Sequence, residues 1–112
     1  MVIGIDIDET ITNTHDEALK YVKKYAPNLK FNDYCDDIKN KDVKAFLEVH
    51  AYNIQKNLTL KPFVKEAFNM FKEHGYKIVI ITARGYNLNY EYEKASVEML
   101  EKYDLPYDEI YY

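Results

Sequence analysis

The stretch from Val2 to Thr12 constrains this chain more than any other. Val2-Ile3-Gly4-Ile5 is a short unbroken apolar run, and it leads directly into Asp6-Ile7-Asp8-Glu9-Thr10. A run with no polar alternation reads as a strand buried on both faces, the kind found in parallel sheets of α/β domains. Ligands of such sheets bind just outside the carboxyl ends of the strands. Asp6 and Asp8 fall at that end, two residues apart, and side chains at i and i+2 project to one side of a strand. Two carboxylates held together repel each other unless a cation or a shared proton offsets the repulsion. The pattern predicts a site for a hard divalent cation and for carboxylate chemistry.

The rest of the chain supplies the elements such a strand requires. Thr14-His15-Asp16-Glu17 matches a capping box, with Thr14 as N-cap and Glu17 reaching back. A helix follows with Ala18, Leu19, Val22 and Tyr25 inward, ending near Pro27. The polar stretch after it holds a short helix over Tyr34 to Ile38. The spacing of Val43, Phe46, Leu47, Ala51 and Ile54 predicts another helix, over Asp42 to Lys56. Residues 13–59 therefore form a helical insertion, much longer than an ordinary strand-to-helix connection. Its expected role is a small subdomain or a lid over the site.

Residues 1–12 and 60–112 are read as the α/β core. Pro62 is placed at the start of a third helix, with Val64, Ala67, Phe68 and Phe71 inward and Gly75 at its C-terminal cap. Lys77 to Thr82 is the second strand, and Ala83-Arg84-Gly85 leave it. A helix over Asn89 to Tyr103 carries Tyr92, Ala95, Ser96, Met99, Leu100 and Tyr103 on one face, Pro106 breaks it, and Asp108 to Tyr112 open a third strand. Strands that alternate with helices predict a parallel sheet with right-handed crossovers.

Composition narrows the function classes. A chain of 112 residues is the size of one small domain, and 47% hydrophobic with 30% charged residues is ordinary for a globular one. A net charge of −4 argues against a nucleic-acid polymer as partner. Cys35 is the only cysteine, which fits a reducing, cytoplasmic setting. No apolar run is long enough to span a bilayer, and the start lacks the basic region of a signal peptide. Glycine is scarce and no GxGxxG occurs, so a dinucleotide site is not expected. A phosphoacceptor receiver domain needs an acceptor aspartate ending a middle strand, and here that strand ends in Thr82.

Ile5-Asp6-Ile7-Asp8-Glu9-Thr10 resembles the first motif, DxDxT, of the haloacid dehalogenase superfamily. Ile80-Ile81-Thr82-Ala83-Arg84 resembles its second, an apolar strand ending in a hydroxyl residue. Together they are most similar to the 5′(3′)-deoxyribonucleotidase-like branch. The resemblance implies a three-layer Rossmann-like fold, with the insertion as a helical cap. It implies a Mg²⁺-dependent phosphomonoester hydrolase acting on a nucleotide or another small phosphate ester. Asp6 would be the nucleophile and Asp8 the general acid and base. Asp6, with the Asp8 backbone carbonyl, would hold the metal. Thr82, Ala83 and Arg84 would contact the phosphoryl group. Thr10 is read as a turn or cap hydroxyl that could also face substrate.

The chain departs from that pattern in its later part. The family's third motif is a lysine and its fourth a set of acids, both on strands beyond the third. Lys94 and Lys102 lie in the last helix, while Asp104 and Asp108 lie at the wrong end of the third strand. The expectation is thus a C-terminally truncated domain, or one that a second chain completes. The strand carrying Val2 to Ile7 would keep an open apolar edge suited to homo-oligomer formation. The competing reading is a catalytically incomplete module that binds phosphate or a partner. His50 reads as a satisfied or surface histidine rather than a cleft residue.

Overall fold

The computed structural model describes residues 1–37, 39–83 and 90–112, with Cys35, Asp36, Tyr90 and Glu91 described by backbone alone. Ile38, the last residue of the expected short helix, Arg84, Gly85, and Asn89, the first residue of the expected last helix, lie outside the described residues. Three parallel strands, β1 (Val2–Ile5), β2 (Lys77–Ile81) and β3 (Glu109–Tyr111), form one sheet in the order β1-β2-β3. The helices are α1 (Thr14–Tyr25), α2 (Tyr34–Asp37), α3 (Lys41–Lys56), α4 (Val64–Glu73) and α5 (Tyr90–Lys102). The fold is a mixed α/β fold with a parallel sheet. Among the described residues no helix is long and apolar enough to cross a membrane.

The strand register sorts the sheet into two unlike faces. Ile3 pairs with Ile78, and Ile5 with Ile80, which pairs in turn with Ile110. Paired residues share a face, and this one packs against Phe68 of α4 and Met99 and Leu100 of α5. Phe68, Ile78, Ile80, Met99 and Leu100 are all buried. Truncating a core phenylalanine such as Phe68 to alanine costs about 3–5 kcal/mol. Two crossovers of the same hand that step the same way across a sheet must lie on one face. That is why α4 and α5 both contribute to the core on this face. The other face buries Val79 at its centre but leaves Val2, Ile81 and Tyr111 exposed by 62%, 54% and 55%, with a Lys77–Glu109 ion pair of 3.1 Å. Three layers are expected from the sequence, but the described residues build two.

The insertion has its own small core. Ala18 and Val22 of α1 meet Phe31 and Val43, all buried. Tyr25, expected on this stripe, is exposed. Asn40 caps α3 by accepting from the Asp42 and Val43 amides at 2.9 and 3.3 Å. Leu47 touches both cores, while Ile54 and Leu58 belong to the α/β core. The lower half of α3 packs along α5, where Tyr52 Oη donates to Glu98 Oε2 at 2.6 Å. His50 is satisfied by Tyr21, whose hydroxyl lies 3.0 Å from its Nδ1.

Gly75 closes α4 at φ 79°, and the Tyr76 amide reaches back to the Phe71 carbonyl at 2.9 Å. Asp104, at φ 52°, closes α5 in the same way, with Leu105 N–H on Leu100 O. At the start of α4 the expectation fails in detail. Phe63 intervenes between Pro62 and the helix, at φ 67°. Pro62 therefore precedes the cap rather than opening the first turn.

Asp108 lies at the amino end of β3, away from the acids of β1, as its position predicts. Its carboxylate accepts from Lys72 Nζ at 2.8 and 2.9 Å and from the Ile78 amide at 2.7 Å, joining α4, β2 and β3. The Lys72 and Ile78 bonds hold its pKa below the usual 3.8. A carboxylate with a depressed folded pKa stabilises fully above its ordinary value, and that contribution is lost as pH falls through the folded pKa. Asp108→Ala is expected to lower the melting temperature at neutral pH. The gap to wild type should close below pH 3.8 in thermal unfolding followed across pH.

Candidate functional site

β1 ends at Ile5, so both acids lie just beyond the strand rather than on it. Ile7 is fully buried, and its carbonyl accepts three amides: Thr10 at 3.2 Å, Ile11 at 2.8 Å and Thr12 at 3.2 Å. This convergence winds residues 7–12 into one tight turn, with Glu9 at φ 60°. Buried Ile7 and Ile11 anchor the turn in the core. The chain returning from the insertion is laced to it. Asn13 N–H donates to Thr59 O at 3.0 Å, and Lys61 N–H to Ile11 O at 2.8 Å.

The turn gives the two acids different surroundings. Asp6 is exposed, and no hydrogen bond or ion pair reaches its carboxylate from the described residues. It lines an open cavity of ≈ 590 Å³ together with Gly4, Ile5, Ile81, Thr82, Ala83 and Tyr112. Asp6 and Thr82 thus line one cavity at the carboxyl ends of adjacent strands. Asp8 is half-buried, and Thr14 Oγ1 donates to its Oδ1 at 2.7 Å. Thr12, fully buried, places its Oγ1 2.7 Å from that of Thr14. Thr14 has one hydroxyl proton; when it serves an ionised Asp8, Thr12 must be the donor to Thr14. The pair is therefore not two equivalent carboxylates on one strand face.

The other expected residues separate. Thr82 is buried, and its amide donates to Tyr111 O at 2.9 Å, which fixes the end of β2. Ala83 is exposed at the cavity. Arg84 lies outside the described residues. Thr10 is exposed and does not line the cavity with Thr82. It borders, with Asp6, a separate groove of ≈ 500 Å³ between β1 and α4.

Two residues near the site play parts that the sequence pattern assigned elsewhere. The capping box at Thr14 and Glu17 does not form, because Thr14 turns to Asp8 and Glu17 accepts from Thr59 Oγ1 at 3.2 Å. Glu9 does the capping instead: the His15 amide donates to its Oε1 at 2.7 Å, and Lys61 Nζ stands 3.1 Å from its Oε2. Burial pushes the Glu9 pKa up, but the His15 N–H and Lys61 outweigh it and hold the group below the usual 4.5. A favourable carboxylate at a helix N-terminus follows from the helix dipole.

The donor set suits Mg²⁺ in kind, being oxygen only, and that ion retains several waters. Among the described residues it is incomplete in number. No group of three or more His, Cys, Asp or Glu residues able to hold a metal occurs among the described residues. No protein-family model matches the chain, and no curated protein matches it closely enough to carry an argument.

The bond from Thr14 to Asp8 yields a stability test. A hydrogen bond to a charged group contributes about 1.5–3 kcal/mol. Thr14→Val, nearly isosteric, is expected to lose about 1.5 kcal/mol in denaturant unfolding, and Thr14→Ser to retain most of it.

Proposed function

We propose that this chain carries the nucleophile end of a Mg²⁺-dependent phosphomonoester hydrolase of the haloacid dehalogenase type, nearest its 5′(3′)-deoxyribonucleotidase-like branch. One observation supports it above others: Asp6, without a partner among the described residues, shares an open cavity with Thr82 and Ala83. The substrate is a nucleotide or another small phosphate ester, and the insertion over residues 13–59 serves as the cap. The third layer and the family's lysine and later acids belong to the same reading.

An Asp6 carboxylate oxygen attacks phosphorus in line, and the bond from phosphorus to the ester oxygen breaks. Asp8, oriented by Thr14, gives its proton to the departing alkoxide, and the alcohol leaves. Asp8 then takes a proton from water as the water oxygen attacks the aspartyl phosphate. Inorganic phosphate leaves and Asp6 is regenerated. Thr82 and the Ala83 amide steady a phosphoryl oxygen, with Arg84 as the adjacent positive charge. The Asp6 carboxylate and the Asp8 backbone carbonyl would hold Mg²⁺, which when bound neutralises phosphoryl charge.

Asp6→Asn is expected to lower hydrolysis of a generic aryl phosphate by about a thousandfold or more, close to 4 kcal/mol in the barrier. Thr82→Val should cost about ten- to a hundredfold, as loss of a single oxyanion contact does. An Asp6→Asn rate equal to wild type rejects the mechanism.

A second reading rests on the thin metal shell among the described residues and on β1 as an edge strand. It is a catalytically incomplete module that binds phosphate, or a second copy of itself, through that edge. On either reading the isolated chain is expected to be weakly active or inactive. Size-exclusion chromatography paired with the hydrolysis assay separates the two, since a monomer that turns over substrate eliminates the second.

A further inference from the structure

Thr12 brings a buried hydroxyl to the edge of the site. The residue is fully buried, and its backbone is pinned within the turn after β1. Its amide donates to Ile7 O at 3.2 Å, and its carbonyl accepts from the Glu9 amide at 3.1 Å. It also bridges to Leu60, where the chain returns from the insertion. A buried hydroxyl needs an acceptor, and two oxygens lie near. The Ile7 carbonyl is 3.4 Å away, past the usual O–H···O length of about 2.7–2.8 Å, and already accepts three amides. Thr14 Oγ1 is 2.7 Å away. Thr14 in turn donates to Asp8 Oδ1, also at 2.7 Å.

Each threonine has a single hydroxyl proton, so the bonds run in one order, from Thr12 to Thr14 to Asp8. Successive hydrogen bonds of one sense polarise one another, and this chain ends on a carboxyl oxygen. Thr12 and Asp8 belong to the turn, whereas Thr14 opens α1. The Thr12 hydroxyl therefore sets the rotation of a side chain that reaches back from a different element. In a carboxylic acid the carbonyl oxygen is the better acceptor. A bond accepted at Oδ1 makes Oδ1 the carbonyl oxygen and leaves Oδ2 to carry the proton.

We propose that Thr12 is a positioning residue for Asp8: acting through Thr14, it keeps Oδ1 as the acceptor, so that the proton for the departing alkoxide is carried on Oδ2. The part in a reaction rests on the phosphohydrolase reading. The hydrogen-bonded chain does not, and it has its own readout.

The test compares propyl phosphate with 4-nitrophenyl phosphate, in Mg²⁺, on wild type, Thr12→Val and Thr12→Ser. An alkoxide needs a proton as it leaves, whereas 4-nitrophenolate leaves as the anion. The ratio kcat/KM covers the steps up to that departure, in which Asp8 is the acid. Thr12→Val is expected to lower kcat/KM about tenfold for propyl phosphate and less than about twofold for 4-nitrophenyl phosphate. Thr12→Ser, which keeps the hydroxyl, should stay near wild type on both. Equal losses on the two esters, or a Thr12→Ser worse than Thr12→Val, would make Thr12 a packing residue and overturn the proposal. The second measurement is the melting temperature of Thr12→Val, Thr14→Val and the double variant. Either single change already breaks the bond between the hydroxyls, so the double variant should fall by less than the sum of the single falls. Additive falls overturn the chain and leave the hydrolase reading standing. Coupled falls with a wild-type rate no higher than that of Asp6→Asn overturn the hydrolase reading, and with it the part of Thr12 in proton transfer, but not the chain.

Discussion

Three amides converging on the Ile7 carbonyl set the geometry of everything near the acids. A β1 that continued straight would place Asp6 and Asp8 alike. The turn instead leaves Asp6 in the open cavity and swings Asp8 toward α1, where a hydroxyl receives it. The energy behind this comes from burial of Ile7 and Ile11, each contributing about 1.5–3 kcal/mol, rather than from the hydrogen bonds alone. The left-handed Glu9 is the local cost, and its carboxylate recovers part of it by capping α1. A packing decision thus separates two chemically identical groups into a solvent-facing one and a hydroxyl-bound one.

The insertion and the sheet are joined through polar contacts that few patterns would reveal. Thr12 and Asn13 lie against Leu60 and Thr59, so the two stems of the insertion are bonded neighbours. The first turn of α1 then supplies Thr14 to Asp8, while Ala18 and Val22, further along the same face, enter the insertion's own core. One helix ties down Asp8 at its start and packs the insertion along its length.

Element order was legible because periodicity is a strong local signal. The runs around Val43, Phe68 and Ile80 could hardly be anything else. That Asp6 and Thr82 line one cavity was legible too, since two parallel neighbours must end on the same side. What failed depended on competition between partners. Thr14 and Glu17 form a good capping pair in isolation, but Asp8 and Thr59 offer them other bonds once the chain is folded. Tyr25 fits an apolar stripe yet stays exposed, with its ring against Tyr21. The bare second face of the sheet was hidden for a related reason. Val2 and Ile81 look like core residues, and nothing local says that both crossovers pass on the opposite side.

Because α3 straddles the two cores, the insertion cannot swing as a detached flap. Lifting it whole would drag Ile54 and Leu58 into water, at about 1.5–3 kcal/mol each, and break the Tyr52–Glu98 bond as well. Any displacement of α1 or α2 that leaves the α/β core intact must therefore be taken up within the insertion's own core, where Ala18 and Val22 meet Val43.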